Sequence, residues 1–463
     1  MIEKQIKGKH MNKLFHYLLL VTLASCNMIF TATSSATYSK DLTIPNAIQI
    51  AFQHRPLLRK IDFDILASEN IARAALAGYL PHIEVHTAAG TASIDTLFAP
   101  RHEVDFNIGQ LLYSFAGPLQ EYQIAKQDVA ALKWQRLLDR DLVRFETEQT
   151  ILHLWDEQKR KLSIRKLDAA AKAVLAMDIH KKRIGLLNLN VFYRTLAHYA
   201  ETQATVKRYP DEISIAKTNV GHSIGFINLD FINLNDLSVT SFINHAITQV
   251  RYFNNKDHCF NIALTNRKDL MINAELLQKE LYQQRFLERS YIPTLGLYFN
   301  MVHYDYKISE GQAETLIGSI IDTGWRLGLQ FDWRFDGLAN VFNASATEDR
   351  YYALTMERLN LIDKIKSEVY NLHSEMNISY KWYKAEKVRL AYTYNEFILR
   401  KEEHRVGMIS DVQLEEARAG WENSQASFTH RKAIVAKKQS ELYYACGYPN
   451  ESTLITMEQD NDY

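Results

Sequence analysis

The sequence predicts an α+β fold, mostly helical, in which one unit of helix, strand pair, very long helix, glycine turn and long helix is written twice. Three observations carry that reading. Short motifs recur in the same order at a slowly drifting offset, from Ile50 and Ile262 through to Gly221 and Gly447, and internal repetition decides the architecture wherever it occurs. Nothing interrupts a helix between Gly117 and Gly185, or between Gly337 and Gly407. Four shorter segments alternate apolar and polar residues with period two. Composition agrees: in 463 residues there are only 17 Gly and 8 Pro, as expected for long uninterrupted elements rather than loops.

The N-terminus reads as a targeting segment. From Met11 a short basic stretch ends at Lys13, and an apolar core runs from Leu14 to Ala24, the layout of an export signal. Two exits are compatible with it. Leu23-Ala24-Ser25-Cys26 resembles a bacterial lipobox that would leave a lipid-modified Cys26, so that the signal spans 1–25; ordinary cleavage after Ser34-Ser35-Ala36 would make it 1–36.

The first repeat is expected over 41–221 and the second over 258–447. Ile50-Ala51-Phe52-Gln53-His54-Arg55 returns as Ile262-Ala263-Leu264-Thr265-Asn266-Arg267, and Gly78-Tyr79-Leu80-Pro81-His82-Ile83 as Ser290-Tyr291-Ile292-Pro293-Thr294-Leu295. Phe115-Ala116-Gly117 answers Phe335-Asp336-Gly337; Arg183-Ile184-Gly185 answers Arg405-Val406-Gly407; Gly221 is matched to Gly447. In the second long helix Ile362, Val369, Met376, Tyr383, Leu390 and Phe397 share a strict heptad spacing, a coiled-coil seam. The first copy keeps shorter runs, Tyr122, Ala125, Val129 and Leu132, then Leu138, Leu142 and Phe145. At the rise of an α-helix each rod is about 100 Å long.

The strands are expected over about 82–115 and 293–335. Trp325, Leu327, Leu329, Phe331, Trp333 and Phe335 alternate with Arg326, Gly328, Gln330, Asp332 and Arg334. Leu295, Leu297, Phe299 and Met301 alternate in the same way, as do Ile83 and Val85 against His82, Glu84 and His86, and Val104, Phe106 and Ile108 against Asp105 and Asn107. Each segment reaches the roughly 10 residues of a transmembrane strand. After the export signal, no stretch approaches the ~20 apolar residues of a spanning helix, so membrane entry would have to be as strands. The competing reading is a soluble sheet packed on the helices. Four strands cannot close a barrel, and lipid does not tolerate open edges. The smallest cyclic assembly with a usable lumen is a trimer, with four strands per chain and twelve in the shared β-barrel.

These residues resemble the TolC-like outer-membrane efflux protein family. The marks are Leu42-Thr43-Ile44-Pro45-Asn46-Ala47 leading to His54-Arg55-Pro56, the Tyr-[Leu/Ile]-Pro entry to each first strand, and the two Arg-x-Gly hairpin tips, with Glu415-Glu416-Ala417 after the second. The resemblance implies a homotrimer, an α-helical barrel continuing a transmembrane β-barrel. It would sit in the outer membrane of a Gram-negative bacterium, in contact with outer-membrane lipid, with a long periplasmic portion. It implies partners too, a periplasmic membrane-fusion adaptor and an inner-membrane transporter of ABC, RND or MFS type. The protein would be the passive exit duct of a tripartite efflux pump or type I secretion system. Residues 222–257, including Phe226-Ile227-Asn228-Leu229-Asp230, would form an equatorial linker, with the tail 448–463 beside it.

Site residues follow from the resemblance by counting from the tips. His404 stands where the family has a Tyr and Ile409 where it has an Arg; Gln413 and Glu416 take the acidic positions that line the bore; Asn190 and Val191 are the first-tip counterparts. In the family, polar contacts among these positions close the periplasmic end; here Glu416 alone keeps the family's charge. Arg183, Gly185, Leu186, Arg405, Gly407 and Met408 are the adaptor-docking tips. No enzyme and no cofactor is expected: Walker, GxSxG and HExxH motifs are absent, and 54 basic residues balance 54 acidic ones, leaving no electrostatic case for nucleic acid. His82, Glu84 and His86 share a strand face as a polar wall or a metal site, the first being favoured. Trp325, Trp333 and Tyr291 are either an interfacial girdle or aromatic core. Cys259 and Cys446 would both lie near the collar, where they pair or, as favoured, stay separate thiols. The rival readings are a periplasmic coiled-coil adaptor or structural lipoprotein, and a degenerate family member that no longer conducts.

Overall fold

The computed structural model describes residues 42–94, 97–226, 233–253, 255–306, 320–333 and 337–448. All lie in the second of two units into which the chain divides, Leu42–Tyr463. Cys26, the export segment, Ile227–Asp230, Arg334–Asp336 and most of the tail lie outside the described residues.

The repeat is visible in element lengths. Helices α1 (Ile44–His54) and α2 (Pro56–Ala77) have 11 and 22 residues. Their counterparts α6 (Lys256–Asn266) and α7 (Lys268–Arg289) also have 11 and 22. The long helices α3 (Pro118–Arg183) and α8 (Ala339–Arg405) have 66 and 67 residues. The returning helices α4 (Leu189–Ile224) and α9 (Asp411–Ala445) have 36 and 35. Between the copies, part of the expected linker is itself helical: α5 (Asp236–Gln249) leads into a 3-10 turn, Val250–Phe253. Trp155 and Lys159 of α3 fasten its start, each donating to the Asp236 carboxylate at 2.7 Å.

The heptad seam of α8 packs where its spacing requires, Val369 and Met376 being fully buried. Further along, Tyr383 stacks on Phe428 of α9 at 5.5 Å between ring centroids and Phe397 on Trp421 at 5.2 Å. Helix α3 neighbours α2 and α7 along one half of its length and α4 and α9 along the other, while α8 closes both rows beside α7 and α9. The rows α2–α3–α7–α8 and α4–α3–α9–α8 therefore end in α2, α4 and α8. Those end helices expose large apolar residues: Phe63, Leu66 and Ile71 on α2, Tyr193 and Ile215 on α4, Tyr352, Met356, Trp382 and Tyr392 on α8. No helix among the described residues is long and apolar enough to cross a membrane.

Strands β1 (His82–Ile94), β2 (Leu97–Tyr113), β3 (Thr294–Tyr306) and β4 (Ile320–Asp332) form one antiparallel sheet in chain order. Among the described residues, the outer edges of β1 and β4 are unpaired.

Four helices end in the same way. Gly185, Gly225, Gly407 and Gly447 all have φ between 72° and 85°, and each is followed by a 6→1 hydrogen bond such as Leu186 N to Lys181 O and Met408 N to Glu403 O. This is the Schellman cap, in which the left-handed residue is usually glycine. It corrects one correspondence: Gly221 lies inside α4, and the partner of Gly447 is Gly225. The error came from taking the nearest glycine in sequence, since only backbone conformation separates the two. With Gly225 the offset becomes the same as that between the two tips, Gly185 and Gly407.

Gly447 can be tested directly. A Cβ there would lie 2.7 Å from the Asn266 carbonyl oxygen in a conformation that other residues rarely adopt. Gly447→Ala is expected to destabilise the chain at the upper end of about 1–3 kcal/mol. Gly420→Ala, inside α9 with open space around it, should stabilise by about 0.5–1 kcal/mol. Urea-unfolding midpoints of the two variants check both.

Candidate functional site

The sheet has one oily and one wet face, and its register aligns them across all four strands. Ile83, Ile108, Phe299 and Leu327 form one transverse row, and Val85, Phe106, Met301 and Trp325 the next. Leu297–Leu329 and Leu295–Phe331 extend the oily face toward the helices. Further out, the row Thr87, Val104, His303 and Thr323 mixes in polar groups, with His303 bonded to Thr323 at 2.8 Å. Among the described residues nothing covers the oily face: Trp325 is 70% exposed and Phe331 73%. The core reading of Trp325 and Trp333 is thus excluded within the chain. Trp333 donates its indole N–H to the Tyr291 carbonyl, and the Tyr291 hydroxyl accepts from Val341 N. Trp325 and Trp333 bracket the oily band, about 27 Å apart at the rise of an extended antiparallel strand.

On the wet face Glu84, Asn107, Asn300 and Arg326 share a row. Asn300 donates to Asp105 at 2.7 Å and to Asn107 at 2.6 Å. Two glycines of this face seat rings: His82 lies over Gly109 and Tyr298 over Gly328, so that a Cβ at Gly109 would displace the His82 ring. His86 and Glu84 approach to 3.6 Å, but His82 is taken up against Gly109. No group of three or more His, Cys, Asp or Glu suited to a metal occurs among the described residues.

At the tips, each sequence-selected residue has a definite place. Leu186 and Met408 project from the turns, 75% and 77% exposed. His404 bonds Asp411 of its own hairpin at 2.6 Å, not a neighbouring one. Gln413 is committed to the start of α9, where it completes a capping box: its side chain accepts from Ser410 N at 3.0 Å while Ser410 Oγ accepts from Gln413 N. Ser410-x-x-Gln413 is a capping signal, legible in the sequence and not used there. Asn190 donates its backbone N–H to Asn188, the cap of α4. Arg405 pairs with Glu402 on the exposed surface; Arg183 lies in the last turn of α3. Glu416 lies beside Glu415 on the wall of a cleft of about 460 Å³ between α3, α4 and α9, with Ile164, Leu167, Val174 and His198 opposite.

Sequence reasoning missed the collar clasp. Arg55 lies between α1 and α2, its backbone extended at ψ 122°, and Arg267 lies between α6 and α7 at ψ 121°. Arg55 donates to the His222 carbonyl at 2.7 Å and pairs with Glu146. Arg267 donates to the Ala445 carbonyl at 3.2 Å, to Glu368 at 2.8 Å and to Asp269 at 2.7 Å. Burial works against the Arg267 charge, but Asp269 and Glu368 outweigh it and raise its pKa. Arg55 and Arg267 stand at the offset of the motifs around them, and Glu146 and Glu368 at the offset of the tip glycines, so aligning the copies position by position would have found them. Nearby, the buried Glu148 accepts from Ser440 at 2.6 Å and from Arg144 at 2.9 Å, tying α3 of the first copy to α9 of the second. Cys259 and Cys446, expected to stay separate, are free but in contact; the spacing in sequence could not show it.

No protein-family model and no curated protein matches the chain in sequence. Solved structures do match in shape. The Campylobacter jejuni CmeC outer membrane channel aligns with TM-score 0.67 at 12% identity, covering 92% of this chain and 90% of its own. CusC, described in terms of transmembrane channel formation, aligns with TM-score 0.67 at 13% identity over 91% and 96%. The Vibrio cholerae outer membrane protein VceC aligns with TM-score 0.65 at 11% identity over 88% and 97%. The chain has the fold of the TolC-like outer-membrane channels.

Two outcomes follow. Leu329→Arg puts a charge on the oily face and should cost about 2–4 kcal/mol in a membrane, whereas Gln330→Arg on the wet face should be tolerated; membrane-insertion yields of the two variants decide it. For the α5 anchor, burial works against the Asp236 charge, but Lys159 and Trp155 hold its carboxyl below the ordinary value. Its stabilising share is present above about pH 4 and lost as pH falls through the lowered value. Asp236→Asn should flatten the acid limb of a melting-temperature profile.

Proposed function

We propose that three copies of this chain form a channel in the outer membrane of a Gram-negative bacterium, with the long helices in the periplasm. One observation carries the proposal: the sheet and the helical rows are left open at the same two flanks. β1 follows α2 and β4 runs into α8, so each unpaired strand edge continues into an end helix with uncovered apolar residues. A cyclic arrangement pairs β1 of one copy with β4 of the next, and α8 with the next copy's α2 and α4. That satisfies the backbone groups lipid would leave unpaired and covers the helix stripes in one operation. Twelve strands leave a lumen where eight would fill with side chains.

In this reading the oily face meets lipid and the row Glu84, Asn107, Asn300 and Arg326 faces water in the lumen. The exposed apolar tips, Leu186 and Met408, meet a periplasmic membrane-fusion adaptor. An inner-membrane transporter of ABC, RND or MFS type supplies the energy, and the protein is a passive, non-enzymatic duct for efflux or type I secretion. Three Glu416 carboxylates form a ring in the bore near the tips, where acidic rings favour cations.

Light scattering in detergent is expected to report a trimer; a stable folded monomer would sink the shared barrel. Planar-bilayer recordings should show single-channel conductance. Glu416→Gln should then shift the reversal potential in a salt gradient toward lower cation selectivity without changing trimer yield. Identical reversal potentials would remove Glu416 from the bore.

A further inference from the structure

The collar is written twice, but its two copies close differently at one point. In the first copy Ala47 of α1 and Ile224 of α4 are buried in one core cluster. Carried over at the offsets of Arg55 to Arg267 and of Gly225 to Gly447, those positions in the second copy are Cys259 and Cys446. Both cysteines are fully buried, in a cluster with Phe253, Ile262 and Leu442. Cys446 Sγ donates to the Cys259 carbonyl oxygen at 3.6 Å. The Cys259 side chain, with burial added, pushes the Cys446 thiol well above its ordinary range, which does not suit Cys446 to act as an isolated nucleophile. The sequence holds one other cysteine, Cys26, which the two expected exits of the export segment either lipidate or remove.

We propose that Cys259 and Cys446 join as a disulfide that clamps the second repeat shut at the collar. The inference rests on the reading that the chain is exported, because disulfides form and persist in oxidising compartments. One thiolate attacks the disulfide of a thiol-oxidising partner protein, and the second displaces the partner's sulfur from the mixed disulfide. The Cys259–Cys446 bond forms, two thiol protons leave, and the partner's disulfide takes up two electrons to become a dithiol. Complete burial sets the order of events: exchange precedes the closing of α6 on the end of α9. The two residues are 187 apart in sequence, so the bond restricts the unfolded chain far more than a short loop would. It also joins the first helix of the repeat to its last, at positions that the first copy fills with Ala47 and Ile224.

The test uses the full chain expressed with its N-terminal segment, recovered from membranes after acid quenching, then denatured and alkylated with iodoacetamide with or without prior reduction. Without reductant, mass spectrometry is expected to find the Cys259 and Cys446 peptides linked, lighter together by two hydrogens and unlabelled; after dithiothreitol both take label. Reduction should lower the melting temperature of the wild type and leave that of a Cys259→Ala/Cys446→Ala variant unmoved. Membrane-recovered protein whose two cysteines take label without reductant overturns the disulfide and leaves the channel reading standing. Protein found in the cytoplasm overturns the export reading instead. Refolding that purified protein with oxidised glutathione then tests the pair alone: linkage supports it, and persistent free thiols overturn it.

Discussion

Two guanidinium groups hold the points from which the rest of the chain is aimed. At Arg55 and Arg267 the backbone leaves one helix and starts the next, and the same side chain reaches across to the closing turn of the returning helix. There it donates to a backbone carbonyl at the negative end of the helix dipole, and a glutamate on the long helix fixes the remaining direction. The neighbouring Gly225 and Gly447 let the backbones approach so closely that no side chain fits. Removing one member of such a pair leaves a mostly buried charge unmatched. The angle it controls is carried along about 55 Å of long helix from the glutamate to the tip, so a few degrees of slack at the clasp becomes about 3 Å at a tip.

The sheet depends on that aim as well. α2 delivers the chain to β1 and α7 delivers it to β3, and the transverse rows align only if both deliveries arrive in phase. A slip of one residue in β4 would exchange its faces, placing Arg326 in the row of Phe299 and Ile108 and turning Leu327 to the wet side. The equal lengths of α2 and α7 therefore matter to the oily face as much as the side chains on it.

Periodicity made much of this legible beforehand. The seam from Ile362 to Phe397 and the alternation of Trp325 to Phe331 are statements about one element's own faces, and such statements survive folding. What escaped depends on partners distant in sequence or on backbone conformation. Arg55 and Glu146 are ordinary surface residue types until two helices bring them together. Gly225 differs from Gly221 only in φ, and Cys259 meets Cys446 across 187 positions of sequence. The tip residues fell between these cases. Counting placed His404, Gln413 and Asn190, but local chemistry decides what they touch, and each is engaged at the ends of its own hairpin's helices. For Gln413 the capping pattern was readable and competed with a role assigned by position.

The near-equality of the long helices turns the chain into a ruler with coarse divisions. A single residue added to α8 alone would advance its tip by about 1.5 Å and rotate everything beyond it by about 100°, turning Met376 or Phe397 away from α9. A whole heptad restores the seam, at about 10 Å of added length. The addition must be matched in α9, or the hairpin no longer closes, and in α3 and α4, or the two tips stand at different depths. The reach of such a chain can therefore change only by whole heptads taken by four helices together, so any partner that meets both tips meets one of a short series of allowed lengths.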